Sequence, residues 1–404
     1  MIGRLSTGRG ALHLDDTGAV SVLRPDGSPA VAGDGVGAEL VLAALGERPA
    51  GFRGAERALG VDMTNWAVVV DETWLVKVPL VVGGSERTVR QLARLAAGGS
   101  RAAALSPRLV GVVPWELPGL APASAAIVTE LVPAATDGWT WAVDDVLAWL
   151  GGAGPEPEWP AELGALVAEL HAALSAEARD EVGFRAATAD DGDPRERILD
   201  TLATALDLVD GDTRLRLANR MPRLRALVDD APSSPDGVSF PVHGDLHVGQ
   251  FLRTTGPDGA PRYLVVDFDG DPQHPGRELD VAAVDVAHLV VSVDLVGSIV
   301  QRRVGRRDER VLSWAERARA ALLEAYRSGL DARDLGSAAG SPLFDERAVP
   351  ALEVEQFARE LAYARRYLPR WEYAPDGALS ARYAPADDDE TEENPWTPPA
   401  SSTT

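Results

Sequence analysis

The sequence contains no cysteine. That excludes disulfides, thiolate nucleophiles and cysteine-type zinc sites. Lysine is almost as scarce: of 39 lysine and arginine residues, Lys77 is the single lysine. Only 6 histidines are present, and their pattern, with His247 and His274 set far apart, indicates no histidine metal site. No stretch reaches 18 uncharged apolar residues, so no transmembrane helix is expected. The opening MIGRLSTGRGALHL lacks the basic start and apolar core of a signal peptide. Positive charge is in deficit overall, with 62 acidic residues and a net charge of −23. Such a chain is not expected to take nucleic acid or an anionic membrane as its main partner, although a local cluster of donors is enough to hold a phosphate. The expectation is a cytoplasmic protein, monomer or weak homodimer.

What is present is the composition of a globular protein, 45% apolar and 25% charged over 404 residues. That length carries one large or two to three small domains with a sizeable core. A chain so biased toward arginine has little reason to keep one lysine on its surface. A site that needs a compact, mobile point charge against phosphate is a good reason.

Residues 1–60 show short apolar bursts between Gly, Ala and Asp, and are read as a small α+β cap. Residues 61–82, VDMTNWAVVVDETWLVKVPLVV, carry two β-branched runs joined by Asp71, Glu72 and Thr73, which predicts a hairpin with Lys77 on its second strand. SERTVRQLARLAA (85–97) has helical spacing with Ser85 as N-cap. Residues 108–132 read as two further strands. These make 61–135 a β-rich lobe. Residues 136–386 read as mainly helical, with an amphipathic helix over ELGALVAELHAAL (162–174). Residues 195–230 read as a mobile or peripheral helical arm. The acidic, Pro/Ser/Thr-rich stretch 387–404 is expected to be disordered.

The chemistry is concentrated in HGDLHVGQFL (243–252), followed after a Gly/Pro-rich turn by YLVVDFDGDP (263–272). Phosphoryl transfer needs a carboxylate beside the attacking hydroxyl and ligands that hold Mg²⁺ against the phosphates. Asp245 is suited to the first task. Gln250 offers a neutral oxygen and Asp267 a charged one to a cation that prefers few protein oxygens. An isolated HGD is weak, because His243 could simply brace its own loop. The order is the specific signal: lysine on a strand, HxDxxxxQ, hairpin, DFD.

HGDLHVGQFL with VVDFDGDP resembles the aminoglycoside phosphotransferase-like kinases. Gln at the metal position and DFDGDP look most like their maltokinase and actinobacterial glucosamine kinase branch. VDMTNWAVVVDETWLVKV, TDGWTWAVDDV and QFARELAYARRYLPRW are similar to segments of the glucosamine kinases. The resemblance spans about residues 61–375. It implies an α+β, eukaryotic-protein-kinase-like bilobal fold and an ATP- and Mg²⁺-dependent kinase acting on a small-molecule sugar or amino sugar. The first choice of reaction is glucosamine to glucosamine 6-phosphate. Maltose 1-phosphate synthesis, aminoglycoside phosphorylation and a nucleotide-binding pseudokinase are the alternatives.

The resemblance also implies roles. Lys77 would contact the α/β-phosphates and the Thr64-Asn65 turn would cover them. Glu130 and Val132 would offer hinge backbone groups to adenine. Asp245 would be the base with His243 bracing its loop, and Gln250, Asp267 and Asp269 would serve the metal. The acceptor would meet the face of Gln356, Glu360 and Tyr363, closed by Trp371. Maltokinases carry a second acid near the position of Ala364, a departure that favours an amino sugar. Glu86 is the candidate acid to pair with Lys77, and reads equally well as a first-turn dipole partner of its own helix. His171 and Asp285 read as structural, Asp285 as a buried anchor.

Overall fold

The computed structural model describes residues 3–59, 65–117, 123–178, 185–186, 193–233, 238–271, 277, 279–335, 342–385 and 396. The chain divides into two compact units: residues 1–135 with 252–275, and residues 136–251 with 276–404.

The first unit opens on strands β1 (Gly3–Ser6), β2 (Ala11–Leu14) and β3 (Val20–Leu23), which form an antiparallel meander. Helix α1 (Val36–Leu45) and strand β4 (Glu56–Ala58) follow. Then come β5 (Asn65–Val70), β6 (Trp74–Pro79), α2 (Glu86–Ala97), α3 (Gly99–Ala103), β7 (Leu109–Trp115) and β8 (Ala123–Glu130). The hairpin, helix and two further strands expected over 61–132 are all there. The main sheet has the antiparallel order β4-β5-β6-β8-β7. Asp71 and Glu72 turn the β5–β6 hairpin at φ 51° and 50°, the positive pair that matches the twist of two-residue hairpin loops. Asp71 also accepts the backbone N–H groups of Arg53, Gly54 and Ala55 at 2.8–3.0 Å. Those bonds tie the segment entering β4 to the turn.

Residues 1–60 are not a separate cap. β4 pairs with β5, and one apolar cluster runs from Leu12, Val22 and Leu40 through Val68, Val76 and Val128. A three-residue strand such as β4 is too short to carry a sequence signal. Strands β11 (Phe251–Thr255) and β12 (Pro261–Val265) form the hairpin after the HxDxxxxQ motif. Val265 N–H donates to Leu105 O at 2.7 Å, and Thr254 Oγ1 to Pro133 O at 3.1 Å. These bonds hold the following DFD turn in the sheet-rich unit, although its sequence neighbours on both sides belong to the helical one.

The second unit contains α4 (Gly138–Leu150), α5 (Trp159–Ala178), β9 (Arg185–Ala186), α6 (Pro194–Leu208), α7 (Gly211–Asp229), β10 (Val238–Phe240), β13 (Asp280–Val281), α8 (Ala282–Val304), α9 (Glu309–Asp331), α10 (Val349–Tyr367) and α11 (Tyr373–Arg382). α8 is its axis. It is long and apolar enough to cross a bilayer, with mean hydropathy 1.8, yet every residue from Ala282 to Gln301 is buried, packed by α9, α10, α11 and α4. Asp285 and Asp294 interrupt it, which is why the sequence has no uncharged apolar run of that length. The segment read as a peripheral arm is integrated instead. α6 packs along α10, and Arg216 of α7 forms a buried ion pair with Asp376 of α11 at 2.5 Å. The polar look of 195–230 comes in part from arginines that meet buried acids. Of the stretch expected to be disordered, only Trp396 lies within the described residues. It is buried, and its indole N–H donates to Ser298 Oγ at 2.9 Å.

Candidate active site

In the sheet-rich unit, a cavity of about 520 Å³ is lined by Lys77, Ile127, Glu130, Val132, Asp267 and neighbouring residues. Its size falls within the range of small-molecule sites. Lys77 sits mid-sheet, opposite Ala67 on one side and Ile127 on the other. The register fixes its Cα. Its ammonium meets Asp267 Oδ1 at 3.0 Å. The expected partner, Glu86, instead takes the backbone N–H of Ser124 at 2.5 Å. The first turn of α2 is thus fastened to the start of β8 by the very carboxylate assigned to the lysine. Ser85 occupies the N-cap position of α2 but its side chain makes no capping hydrogen bond.

Asp267 adopts φ 67°, a left-handed conformation in which aspartate is better tolerated than most residues. Two positions on, Asp269 accepts from Thr88 Oγ1 and from the Asn65 side chain. Burial, followed by the charge of Asp267, pushes the Asp269 carboxyl above its ordinary range, against the opposing pull of Thr88, Lys77 and Asn65. Two carboxylates crowded into one turn, one of them short of neutralising charge, form a donor set suited to a hard divalent cation. Among the described residues no three His, Cys, Asp or Glu side chains gather into a metal cage. A site completed by phosphate oxygens and water needs none.

Asn65, at the start of β5, therefore reaches the DFD turn through its side chain. Thr64, its expected partner over the phosphates, lies outside the described residues. Of the residues expected at the hinge, Glu130 donates its N–H to Arg108 O at 2.9 Å, and its side chain is paired with Arg108. What Glu130 can offer a base is its carbonyl. Val132 lines the cavity beside it.

In the helical unit, the catalytic loop hangs from one residue. β10 pairs with β13, Phe240 opposite Asp280, and this register brings the first turn of α8 beneath residues 243–244. The fully buried Asp285 carboxylate accepts His243 N–H and Gly244 N–H, both at 2.7 Å, and meets His171 Nε2 at 3.0 Å. His171 Nδ1 in turn meets Tyr326 Oη at 2.8 Å. Burial alone would raise the Asp285 carboxyl. The His171 hydrogen bond and the surrounding donors outweigh it and hold the group down to about 2. His171 is thus one link from the loop, and Asp285 is the anchor its sequence position suggested. His243 is completely buried, and its Nδ1 accepts the N–H of Asp245 at 3.3 Å. The His243 ring braces the residue that its motif places two positions on.

Asp245 is partly exposed. The 3₁₀ turn Val248–Gln250 follows it and ends on the buried Gln250. This turn is pressed against α4. A Cβ on Gly138 would stand 1.7 Å from Val248 O, and one on Gly249 would stand 2.5 Å from Trp139 Nε1. Only glycine fits at either point. TDGWTW and HVGQ are separate signals in the sequence. In the structure they are two sides of one contact.

The α10 residues expected to meet the acceptor lie close to one another. Gln356 Nε2 donates to Glu360 Oε1 at 2.9 Å, and Gln356 Oε1 is buried with no partner among the described residues. Burial pushes the Glu360 carboxyl upward. The nearby His247 ring tempers that rise and the charge of Asp245 adds to it. Tyr363 is raised by burial first and then by Glu360 and Asp245, so the two carboxylates and the phenol share one neighbourhood. Trp371 packs edge-on against Trp139 at 6.1 Å, and Trp139 stacks on His247 at 5.4 Å and 28°. Sequence reasoning gave Trp139 and His247 no role in the site. The aromatic-rich DGWTW stretch, and a histidine two residues past Asp245, were the available signals.

No family model matches the sequence. Single proteins do. The chain is 35% identical over 395 residues to the glucosamine kinase of Streptacidiphilus jiangxiensis, covering 91% of this chain and 83% of that protein. It is 33% identical over 373 residues to the glucosamine kinase of Mycolicibacterium smegmatis, covering 86% of this chain and 88% of that protein. A solved structure of a glucosamine kinase in complex with glucosamine, ADP and inorganic phosphate matches with a TM-score of 0.77 at 33% identity, over 94% of this chain and 93% of that one. The sheet-rich first unit and helical second unit are an α+β fold shared with that glucosamine kinase structure. With more than a third of its residues identical over nine-tenths of its length, the chain belongs to the glucosamine kinase family.

Proposed function

We propose that this protein transfers the γ-phosphoryl group of ATP to glucosamine, yielding glucosamine 6-phosphate, and that it acts in the cytoplasm, where ATP is abundant. The observation that carries the acceptor assignment is the pair of carboxylates, Asp245 and Glu360, in one aromatic-walled neighbourhood of the helical unit. Two acids close together in a buried setting are short of positive charge. Protonated glucosamine supplies it, through an ammonium–carboxylate ion pair that glucose cannot make. Gln356 Oε1, buried and without a partner among the described residues, is a second acceptor of the kind a sugar hydroxyl or ammonium satisfies. Tyr363 and Trp371 present ring faces suited to the apolar side of a pyranose.

In this reading Asp245 orients the attacking hydroxyl and takes its proton. His243, held by Asp285, fixes the backbone that aims Asp245. Lys77 neutralises the α/β-phosphates, the Glu130 carbonyl and Val132 meet the adenine, and Asn65 holds Asp269. Asp267 and Asp269 would hold Mg²⁺, with Gln250 assigned as a neutral oxygen ligand from its place in the motif. The bound ion supplies charge neutralisation on the phosphates. Phosphoryl transfer asks little covalent chemistry of the protein, so placement and electrostatics make up most of the catalysis.

The test is ADP release with glucosamine, glucose and maltose, in the wild type and in Glu360→Gln. Glucosamine should lead glucose by a factor corresponding to roughly 2–4 kcal/mol in kcat/KM, and Glu360→Gln should shrink that lead. Maltose as the best acceptor would overturn the reading.

A further inference from the structure

His247 has no part in the assignments above, yet three observations fix it. Its Nδ1 accepts the N–H of Gly249 at 3.1 Å. Its ring stacks on Trp139. Gly249 has no room for a Cβ, which would lie 2.8 Å from the His247 ring and 2.5 Å from Trp139 Nε1. A ring nitrogen that accepts a hydrogen bond carries no proton, so the proton of the neutral imidazole sits on Nε2. That nitrogen is 4.0 Å from Asp245 Oδ2. The gap is about 1 Å longer than a hydrogen bond, a distance that small side-chain rotations close. Hydrogen bonds at catalytic groups are commonly long without substrate and tighten with it.

We propose that His247 is a positioning residue for the base: a ring locked as its Nε2–H tautomer that donates to Asp245 and holds one carboxylate oxygen, leaving the other aimed at the acceptor hydroxyl. This deepens the proposed function and rests on Asp245 being its base. His243 Nδ1 holds the backbone N–H of Asp245 and so fixes where the side chain begins. His247 Nε2 acts at the other end, on the carboxylate itself. The donor meets a single oxygen, so it orients the carboxylate and leaves the other oxygen able to accept a proton. The Trp139 stack and the Gly249 bond keep the imidazole from flipping, a motion that would put the Cε1 carbon in place of the Nε2 donor.

The two nitrogens can be separated by substitution. His247→Asn places an oxygen near Nδ1, keeping the turn bond to Gly249 while removing the Nε2 donor. His247→Gln places an amide N–H near Nε2, keeping the donor while weakening the turn bond. Steady-state kcat and KM for ATP and acceptor would be measured on the full-length variants, with Tm as the control for folding. The acceptor is whichever sugar the wild type uses best, so a failure of the glucosamine reading leaves this comparison intact. His247→Asn should lower kcat about 30–100-fold with both KM values within about 2-fold, and His247→Gln should stay within about 5-fold of wild type. The reverse order would make His247 a turn cap only and overturn the proposal. So would equal losses in both variants, or a change confined to the acceptor KM.

Discussion

Asp285→Asn tests how the catalytic loop is held. The wild-type carboxylate is completely buried and takes three donors, from His243 N, Gly244 N and His171 Nε2, at 2.7, 2.7 and 3.0 Å. Asparagine keeps one oxygen and turns an NH₂ group toward at least one of those donors. Hydrogen bonds to a charged group are worth roughly 1.5–3 kcal/mol each, and a buried donor left unpaired costs more than a neutral exchange. With the amide oxygen kept on the side that takes His243 N and His171 Nε2, the Gly244 N–H is opposed and the other two bonds lose the carboxylate charge, so unfolding free energy should fall by about 3–5 kcal/mol. Activity should fall further than stability alone requires, because a displacement of the order of 1 Å at a reacting group can cost about 100-fold. Denaturant melts and kcat at a temperature where the variant remains folded give both numbers.

The pH dependence of the melts supplies a second check. The Asp285 carboxyl is at about 2 in the folded state against an ordinary 3.8. A depressed acid contributes stability that is fully present above the unfolded value and lost as pH falls through the folded one. That contribution is about 2 kcal/mol. The wild type should therefore lose it between about pH 4 and pH 2, and Asp285→Asn should lack that step. A loss under about 1 kcal/mol at neutral pH, with kcat within about 3-fold, would refute the anchoring role.

Asp245→Asn should keep the fold and ATP binding while lowering kcat by about 10²–10⁴; near-normal turnover would remove it from the base role. Lys77→Arg should leave most of the defect of Lys77→Ala unrepaired, since a planar fork does not replace a compact ammonium, and wild-type kinetics in the arginine variant would undo that argument. Excess chelator should abolish activity and added Mg²⁺ restore it; turnover that persists in chelator would sink the metal assignment of Asp267 and Asp269. Gly138→Ala drives a Cβ to within 1.7 Å of Val248 O, so it should depress both Tm and kcat, and an unchanged kcat would show that the packing of α4 on the catalytic turn is dispensable.

The sequence alone determined the elements whose signals are local. The β5–β6 hairpin followed from two β-branched runs around a polar turn, and α2, α5 and α10 from helical spacing. The candidate site could be proposed from the sequence because the lysine, the HxDxxxxQ loop and the DFD turn are short motifs that follow one another in that order. That Gln356, Glu360 and Tyr363 share a side was readable because residues three and four apart on a helix do so. Partners distant in sequence were decided only by the tertiary structure. Lys77 meets Asp267, 190 positions away, while the nearer Glu86 turns to the backbone of Ser124. β4 joins residues 1–60 to the main sheet, and arginines of 195–230 find buried acids on α10 and α11. Trp139 and His247 become neighbours because two glycines let α4 and the catalytic turn touch. Spacing along a chain reports which side chains share a face. Which faces then meet depends on how whole elements pack, and that free energy is summed over many residues that carry no motif.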